Sequence, residues 1–153
     1  MTLGVGDRAP DFAGRNQHGE TVGLADLRGG SVALVFYPWA FSGICRGELA
    51  AVRDAHDRFL ASSVRVVAIS CDAMFTLRAY AEAEGLPFDL VSDHWPHGKI
   101  ARDYGVFDET AGCSVRATFV LDADGVITWT TVNGIGEARD LDELVAALPA
   151  PAG

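Results

Sequence analysis

Ser31-Val32-Ala33-Leu34-Val35-Phe36-Tyr37-Pro38-Trp39-Ala40-Phe41-Ser42-Gly43-Ile44-Cys45 runs from an apolar, β-branched and aromatic segment into a cysteine. Residues 32–37 show no polar alternation, as expected of a strand covered on both faces. A helical pattern begins near Gly43, with Ile44, Leu49, Val52, Ala55, Phe59 and Leu60 close to a 3.6-residue period. The spacing therefore places one thiol where a buried strand hands over to a helix N-terminus. Unpaired amides and the positive end of the helix dipole stabilise an anion there, which turns an ordinary cysteine into a thiolate.

Outward from this stretch, residues 12–27 read as a short N-terminal hairpin that turns at His18-Gly19. Residues 64–69 repeat the buried-strand signature, and a helix over about 73–84 is stopped by Gly85 and Pro87. A short strand at 88–91 and a short helix at 98–104 follow. Residues 117–121 and 126–132 flank Asp122-Ala123-Asp124-Gly125, a hairpin signal. Asp140 and Glu143 have capping-box spacing for a last helix through Leu148, and the tail at 149–153 is expected to fray. The order β-α-β-α, hairpin, α implies an α/β fold with a central mixed β-sheet flanked by helices. Ligands of such sheets sit beyond the carboxyl ends of the parallel strands, where Cys45 falls.

The 153 residues fit a single domain, 1–153, without internal repeats. Almost half are hydrophobic, enough for a core that needs neither disulfides nor metal. A net charge of −9, with Lys99 the only lysine, argues against a nucleic-acid partner. No apolar run approaches the roughly 18 residues that span a bilayer, and the first residues lack a leader pattern, so the expected location is cytoplasmic. Cys45, Cys71 and Cys113 form no C-x-x-C, so free thiols are expected in a reducing compartment. His94-x-x-His97 lacks a third ligand in a recognisable pattern, and no metal or other cofactor is expected.

Pro38-x3-Ser42-x2-Cys45 resembles the peroxiredoxin signature Pro-x3-Thr/Ser-x2-Cys. Ala9-Pro10-Asp11-Phe12, Ser92-Asp93-x-Trp95 and Arg116-Ala117-Thr118-Phe119-Val120-Leu121-Asp122 extend the likeness along nearly the whole chain. Residues 41–49 and Trp95-Pro96-His97-Gly98 are most similar to the one-cysteine subgroup typified by alkyl hydroperoxide reductase E. The resemblance implies a thioredoxin-like fold and reduction of hydrogen peroxide, organic hydroperoxides or peroxynitrite. It also implies a homodimer, and recycling by an external thiol or redoxin (mycothiol or a mycoredoxin, thioredoxin otherwise).

By that resemblance the Cys45 thiolate attacks the distal peroxide oxygen and becomes a sulfenic acid. A free thiol with pKa about 8.5 is already a few per cent ionised at pH 7, so full ionisation gains only about 30-fold, or about 2 kcal/mol. The motif must therefore also bind the peroxide and hold charge developing on the departing oxygen. Ser42 suits that task, and equally suits a helix N-cap. Pro38 either ends the strand or also shields the sulfur. Arg116 is either an exposed flanking charge or, by resemblance, the cation beside the thiolate.

Glu48 lies one helical turn after Cys45 and would oppose the thiolate unless an arginine neutralises it. Arg116 and Arg139 are the candidates, and a solvated glutamate is the alternative. Trp39, Phe41 and Trp95 read either as an apolar access path or as plain core aromatics. Cys113, in the apparent loop before Arg116, is the better candidate than Cys71 for a resolving thiol, although neither matches a common resolving position and the resemblance favours a one-cysteine cycle. A thioredoxin-like thiol–disulfide oxidoreductase or redox-sensing module would want a second thiol in C-x-x-C. A cysteine hydrolase would need a histidine base, and no recognisable nucleophile–base signature is present.

Overall fold

The computed structural model describes residues 3–137 and 139–149, so most of the tail expected to fray, from Ala150 onward, lies outside the described residues. Three parallel strands, β3 (Ser31–Phe36), β4 (Val64–Ser70) and β5 (Asp89–Ser92), continue into two antiparallel ones, β8 (Arg116–Leu121) and β9 (Ile127–Asn133). The order across this five-stranded sheet is β5-β4-β3-β8-β9. The strand 31–36 is buried on both faces, which explains its unbroken apolar run. Leu34 and Phe36 pack with Tyr104, Phe119 and Ile127 on one side. Ala33, Val35 and Tyr37 pack on the other against Leu49, Phe59, Leu77, Tyr80 and Leu144 from the helices. Helices thus cover a central mixed sheet, the arrangement of the thioredoxin-like fold.

The N-terminal hairpin is present as β1 (Ala13–Arg15) and β2 (Thr21–Gly23), but residues beyond Gly23 form a one-turn helix, α1 (Leu24–Leu27), instead of more strand. Asp26 accepts from the Gly23 amide at 3.1 Å and closes that turn. The hairpin also protects the open edge of the sheet. Gln17 is buried, accepts from the Leu90 amide at 2.8 Å and donates to the Phe88 carbonyl at 2.9 Å. Those are edge-strand groups that would otherwise offer a template for another chain.

The helix expected to run from Gly43 past Phe59 is broken once, into α2 (Gly43–Asp54) and α3 (His56–Ala61), at Ala55 with φ −93° and ψ 4°. Leu49, Val52 and Phe59 face inward as the period predicts, but the two ends of the stripe differ. Cys45, Glu48, Leu49 and Val52 face inward, whereas Ile44 and Leu60 are exposed. Hydrophobicity alone selects Ile44, but the positions i, i+3, i+4 and i+7 that pack on the sheet begin at Cys45.

Later elements follow the sequence closely: α4 (Met74–Glu84) ends at Gly85 in the left-handed region, and α5 (Lys99–Asp103) is short. A small pair unforeseen in the sequence, β6 (Phe107–Asp108) and β7 (Cys113–Ser114), places Cys113 in a buried strand and not in a loop. Its turn is organised by Asp108, whose side chain accepts from the amides of Thr110 and Ala111. Asp140 caps α6 (Leu141–Ala146) through the amides of Asp142 and Glu143, and this helix stops two residues short of Leu148.

Candidate active site

β3 ends at Phe36, and its parallel neighbour β4 carries it to the carboxyl rim, where the Tyr37 amide still bonds to Ile69 at 3.1 Å. Pro38 is buried at this exit and, lacking an amide hydrogen, adds nothing to the ladder. The loop then turns sharply, with Phe41 in the left-handed region at φ 66°. Such a conformation costs a non-glycine residue of order 1–3 kcal/mol and persists only where surroundings enforce it. Two bonds do so here: the Ala40 amide donates to Asp72 at 2.8 Å, and the Ser42 hydroxyl donates to the Trp39 carbonyl at 2.8 Å. Ser42 is the N-cap residue of α2 by backbone position, but among the described residues its side chain makes no capping bond. Its hydrogen is committed to Trp39, leaving oxygen lone pairs as the remaining polar capacity.

Cys45 sits in the first turn of α2 and is fully buried. The antiparallel register of β3 with β8 pairs Phe36 with Ala117, so Arg116 stands one step further, level with the exit of β3. Its guanidinium is buried, so the alternative of an exposed flanking charge does not hold. Arg116 Nη1 donates to Cys45 Sγ at 3.1 Å and to Glu48 Oε1, and Nε donates to the Ile135 carbonyl at 2.7 Å. Glu48 is likewise buried, not solvated. Its second oxygen accepts from the Arg139 amide at 2.6 Å and from Arg139 Nε at 2.9 Å. Arg139 is held in turn by the Phe36 and Ala117 carbonyls and the Thr118 hydroxyl. Burial pushes the Arg139 guanidinium below its usual range, and the Glu48 carboxylate works against that shift.

Two guanidinium groups, one carboxylate and one thiol therefore share a buried cluster. With Cys45 as a thiol the cluster carries one surplus positive charge, and with Cys45 as a thiolate it is balanced. Low local dielectric makes that difference count, because an unmatched buried charge is far more costly than a matched set.

The other candidates do not join this cluster as one set. Phe41 is 49% exposed and packs edge-on against Tyr80 at 4.8 Å, and Trp39 is also exposed. Trp95, 85% exposed, lines a separate cleft of about 420 Å³ with Arg15, Met74 and Lys99. None of the three is a core aromatic. His97 Nε2 lies 2.7 Å from the Gly112 carbonyl, and the His94 and His97 rings are 6.3 Å apart. Asp72 and Thr118 escaped the sequence reading. Asp72 directly follows the buried β4–Cys71 segment at the carboxyl rim, a position that could have flagged it, whereas nothing in the local pattern distinguishes Thr118.

Cys71 and Cys113 are buried. Burial, with Asp93 adding to it, pushes the Cys71 thiol up to about 12. Burial and then Asp108 push the Cys113 thiol up to about 11. Both values exceed the ordinary 9.0, so the contribution of these thiols to stability is complete below about pH 9 and is lost as pH rises through 11 to 12. Cys71→Ser should accordingly flatten the alkaline fall in melting temperature, read by circular dichroism. An unchanged slope would remove the thiol from that role.

The chain matches a family model described as the AhpC/TSA family over residues 5–130. It is 44% identical over 139 residues to alkyl hydroperoxide reductase E of Mycobacterium tuberculosis, covering 90% of this chain and 91% of the relative. Peroxiredoxin tpx1 of Schizosaccharomyces pombe is 34% identical over 160 residues, covering 98% and 82%. Among solved structures, Enterococcus faecalis AhpC superposes with a TM-score of 0.87 at 28% identity, covering 95% of this chain and 90% of that one.

Proposed function

The chain belongs to the AhpC/TSA family of peroxiredoxins and is a thiol-dependent peroxidase, and we propose that Cys45 carries its chemistry. The observation that supports this most is the Arg116 guanidinium 3.1 Å from the Cys45 sulfur, within a cluster that balances only when the sulfur is anionic. The thiolate donates its electron pair to the distal peroxide oxygen, the O–O bond breaks, and the departing oxygen takes a proton to leave as water or alcohol. Cys45 becomes a sulfenic acid. Pro38 closes one side of the sulfur to solvent. Ser42 and Arg116 hold the two peroxide oxygens, for which Ser42 exchanges its bond to Trp39 for one to substrate. Glu48, held by Arg139, fixes Arg116 in place. Trp39 and Phe41 form the apolar approach, whereas Trp95 lies on the separate cleft.

The cycle is of the one-cysteine kind, and an external thiol or redoxin, mycothiol with a mycoredoxin or else thioredoxin, reduces the sulfenate. Cys113 is the reserve resolving thiol, but its protonated state at neutral pH makes it a slow nucleophile. The protein is a single domain over 1–153, works in the cytoplasm, and pairs with a second copy. No helix among the described residues is long and apolar enough to cross a membrane.

One equivalent of peroxide added to the reduced protein should leave a sulfenic acid at Cys45, seen in the non-reducing mass after trapping with dimedone. Cys71→Ser and Cys113→Ser should trap equally and keep most of the peroxidase rate. A Cys45–Cys113 disulfide in most molecules would overturn the one-cysteine cycle.

A further inference from the structure

We propose that Asp72 is a positioning residue of the peroxidase reaction, the strap that holds the loop 38–42 in its peroxide-binding shape. The inference rests on Cys45 being the thiol that meets the peroxide. β3 and β4 leave the sheet side by side, with Phe36 level with Ile69, so the loop after β3 passes directly over the residues after β4. At that crossing a single carboxylate oxygen, Asp72 Oδ2, accepts both the Ala40 amide at 2.8 Å and the Ser70 hydroxyl at 2.7 Å. Asp72 is itself tied down, because its carbonyl accepts from the Ser92 hydroxyl at 2.6 Å. The loop is thereby fastened to the rims of both β4 and β5.

The loop needs such a fastening. Phe41 holds φ 66°, which an aromatic residue does not adopt unaided. The Ser42 bond to Trp39 lies within the loop and cannot anchor it to anything else. The Ala40 bond reaches across to Asp72, 32 residues away and just past β4, and its acceptor is a carboxylate. Bonds to an ionised acceptor are roughly twice as strong as neutral ones. Ala40 lies two residues before Ser42 and five before Cys45, so a loosened amide moves the hydroxyl relative to the sulfur. A reaction that depends on aligning an O–O bond with that sulfur tolerates little such movement. Asp72 makes no bond to Cys45, Arg116 or Glu48 among the described interactions, so its effect should fall on peroxide alignment and leave thiolate formation alone.

Stopped-flow oxidation of Cys45 by hydrogen peroxide, paired with the ultraviolet thiolate titration, separates these effects. In Asp72→Ala the second-order rate constant should fall about tenfold to a hundredfold, with the titration midpoint of Cys45 where it is in the wild type. Asp72→Asn keeps an oxygen that accepts from Ala40 and should recover the rate to within about threefold of wild type. A wild-type rate in Asp72→Ala would overturn the proposal, as would a midpoint that moves in step with the rate, the mark of a damaged charge cluster. Should Asp72→Ala fail to fold, Asp72→Asn decides alone: a tenfold slower oxidation overturns the strap. An unreactive Cys45 in the wild-type protein is a separate failure, that of the thiol assignment itself.

Discussion

Cys45→Ser is expected to lower peroxide consumption to the buffer background. The substitution removes one polarisable atom and keeps a hydroxyl of similar size beside Arg116, so the fold and the buried ion pairs persist while the nucleophile is lost. The remaining thiols cannot substitute. With values near 12 and 11, Cys71 and Cys113 are ionised to about one part in ten thousand or less at pH 7. A serine hydroxyl does not ionise at that pH either, and among the described residues no histidine is hydrogen-bonded to position 45 as a base. Stopped-flow consumption of peroxide with a saturating dithiol reductant gives the readout, and full activity in Cys45→Ser would sink the assignment of the chemistry to this residue.

Arg116→Ala is expected to slow Cys45 oxidation by about a hundredfold to a thousandfold, the range for loss of a donor aimed at developing charge. Its guanidinium bonds the sulfur at 3.1 Å and Glu48 at once, so its removal acts twice. The donor to sulfur goes, and Glu48, now balanced by Arg139 alone, leaves a cluster that is neutral when Cys45 is a thiol and negative when it is a thiolate. The thiolate absorbance should therefore appear at higher pH than in the wild type, and an unchanged midpoint would remove Arg116 from this role. Breaking a buried ion-pair set by deleting one member also costs about 3–5 kcal/mol of stability, to be read from urea denaturation. Arg116→Lys restores the charge as a point and not as a fork, so it should recover part of the rate, since one ammonium cannot reproduce the directed bonds to sulfur, Glu48 and Ile135 together.

Several features of this site were legible in residues 31–45 and others were not. The strand, the turn and the helix start are each set by neighbours within a few residues, so the position of Cys45 at the carboxyl rim follows from periodicity and turn chemistry. Leu49 and Val52 give the inward phase of α2 correctly, but hydrophobicity favours Ile44 at its start, where the buried stripe carries Cys45 and Glu48. A polar pair on an inward stripe costs free energy unless it is matched, and the matching groups lie far along the chain. The exposure of Trp39, Phe41 and Trp95 was equally hidden, since aromatic residues next to an apolar strand look like core. The spacing of Ser42 suits a helix cap, but its side chain makes no capping bond and donates to the Trp39 carbonyl instead.

The sequence by itself determined the order of the five central strands and the main helices, the thiol at a helix N-terminus and the family signature of Pro38, Ser42 and Cys45, because these depend on short-range sterics, hydrogen bonding and pattern. Only the tertiary structure decided what surrounds the sulfur. Arg116 reaches Cys45 from 71 residues away, and Arg139 reaches Glu48 from 91. Both arrive through the antiparallel register of β3 with β8 and the return of the chain past β9. Sheet order and register are chosen by the packing of whole faces against one another, so no local window of residues contains them. The buried cluster that Cys45 shares with Arg116, Glu48 and Arg139 exists only once those faces have closed.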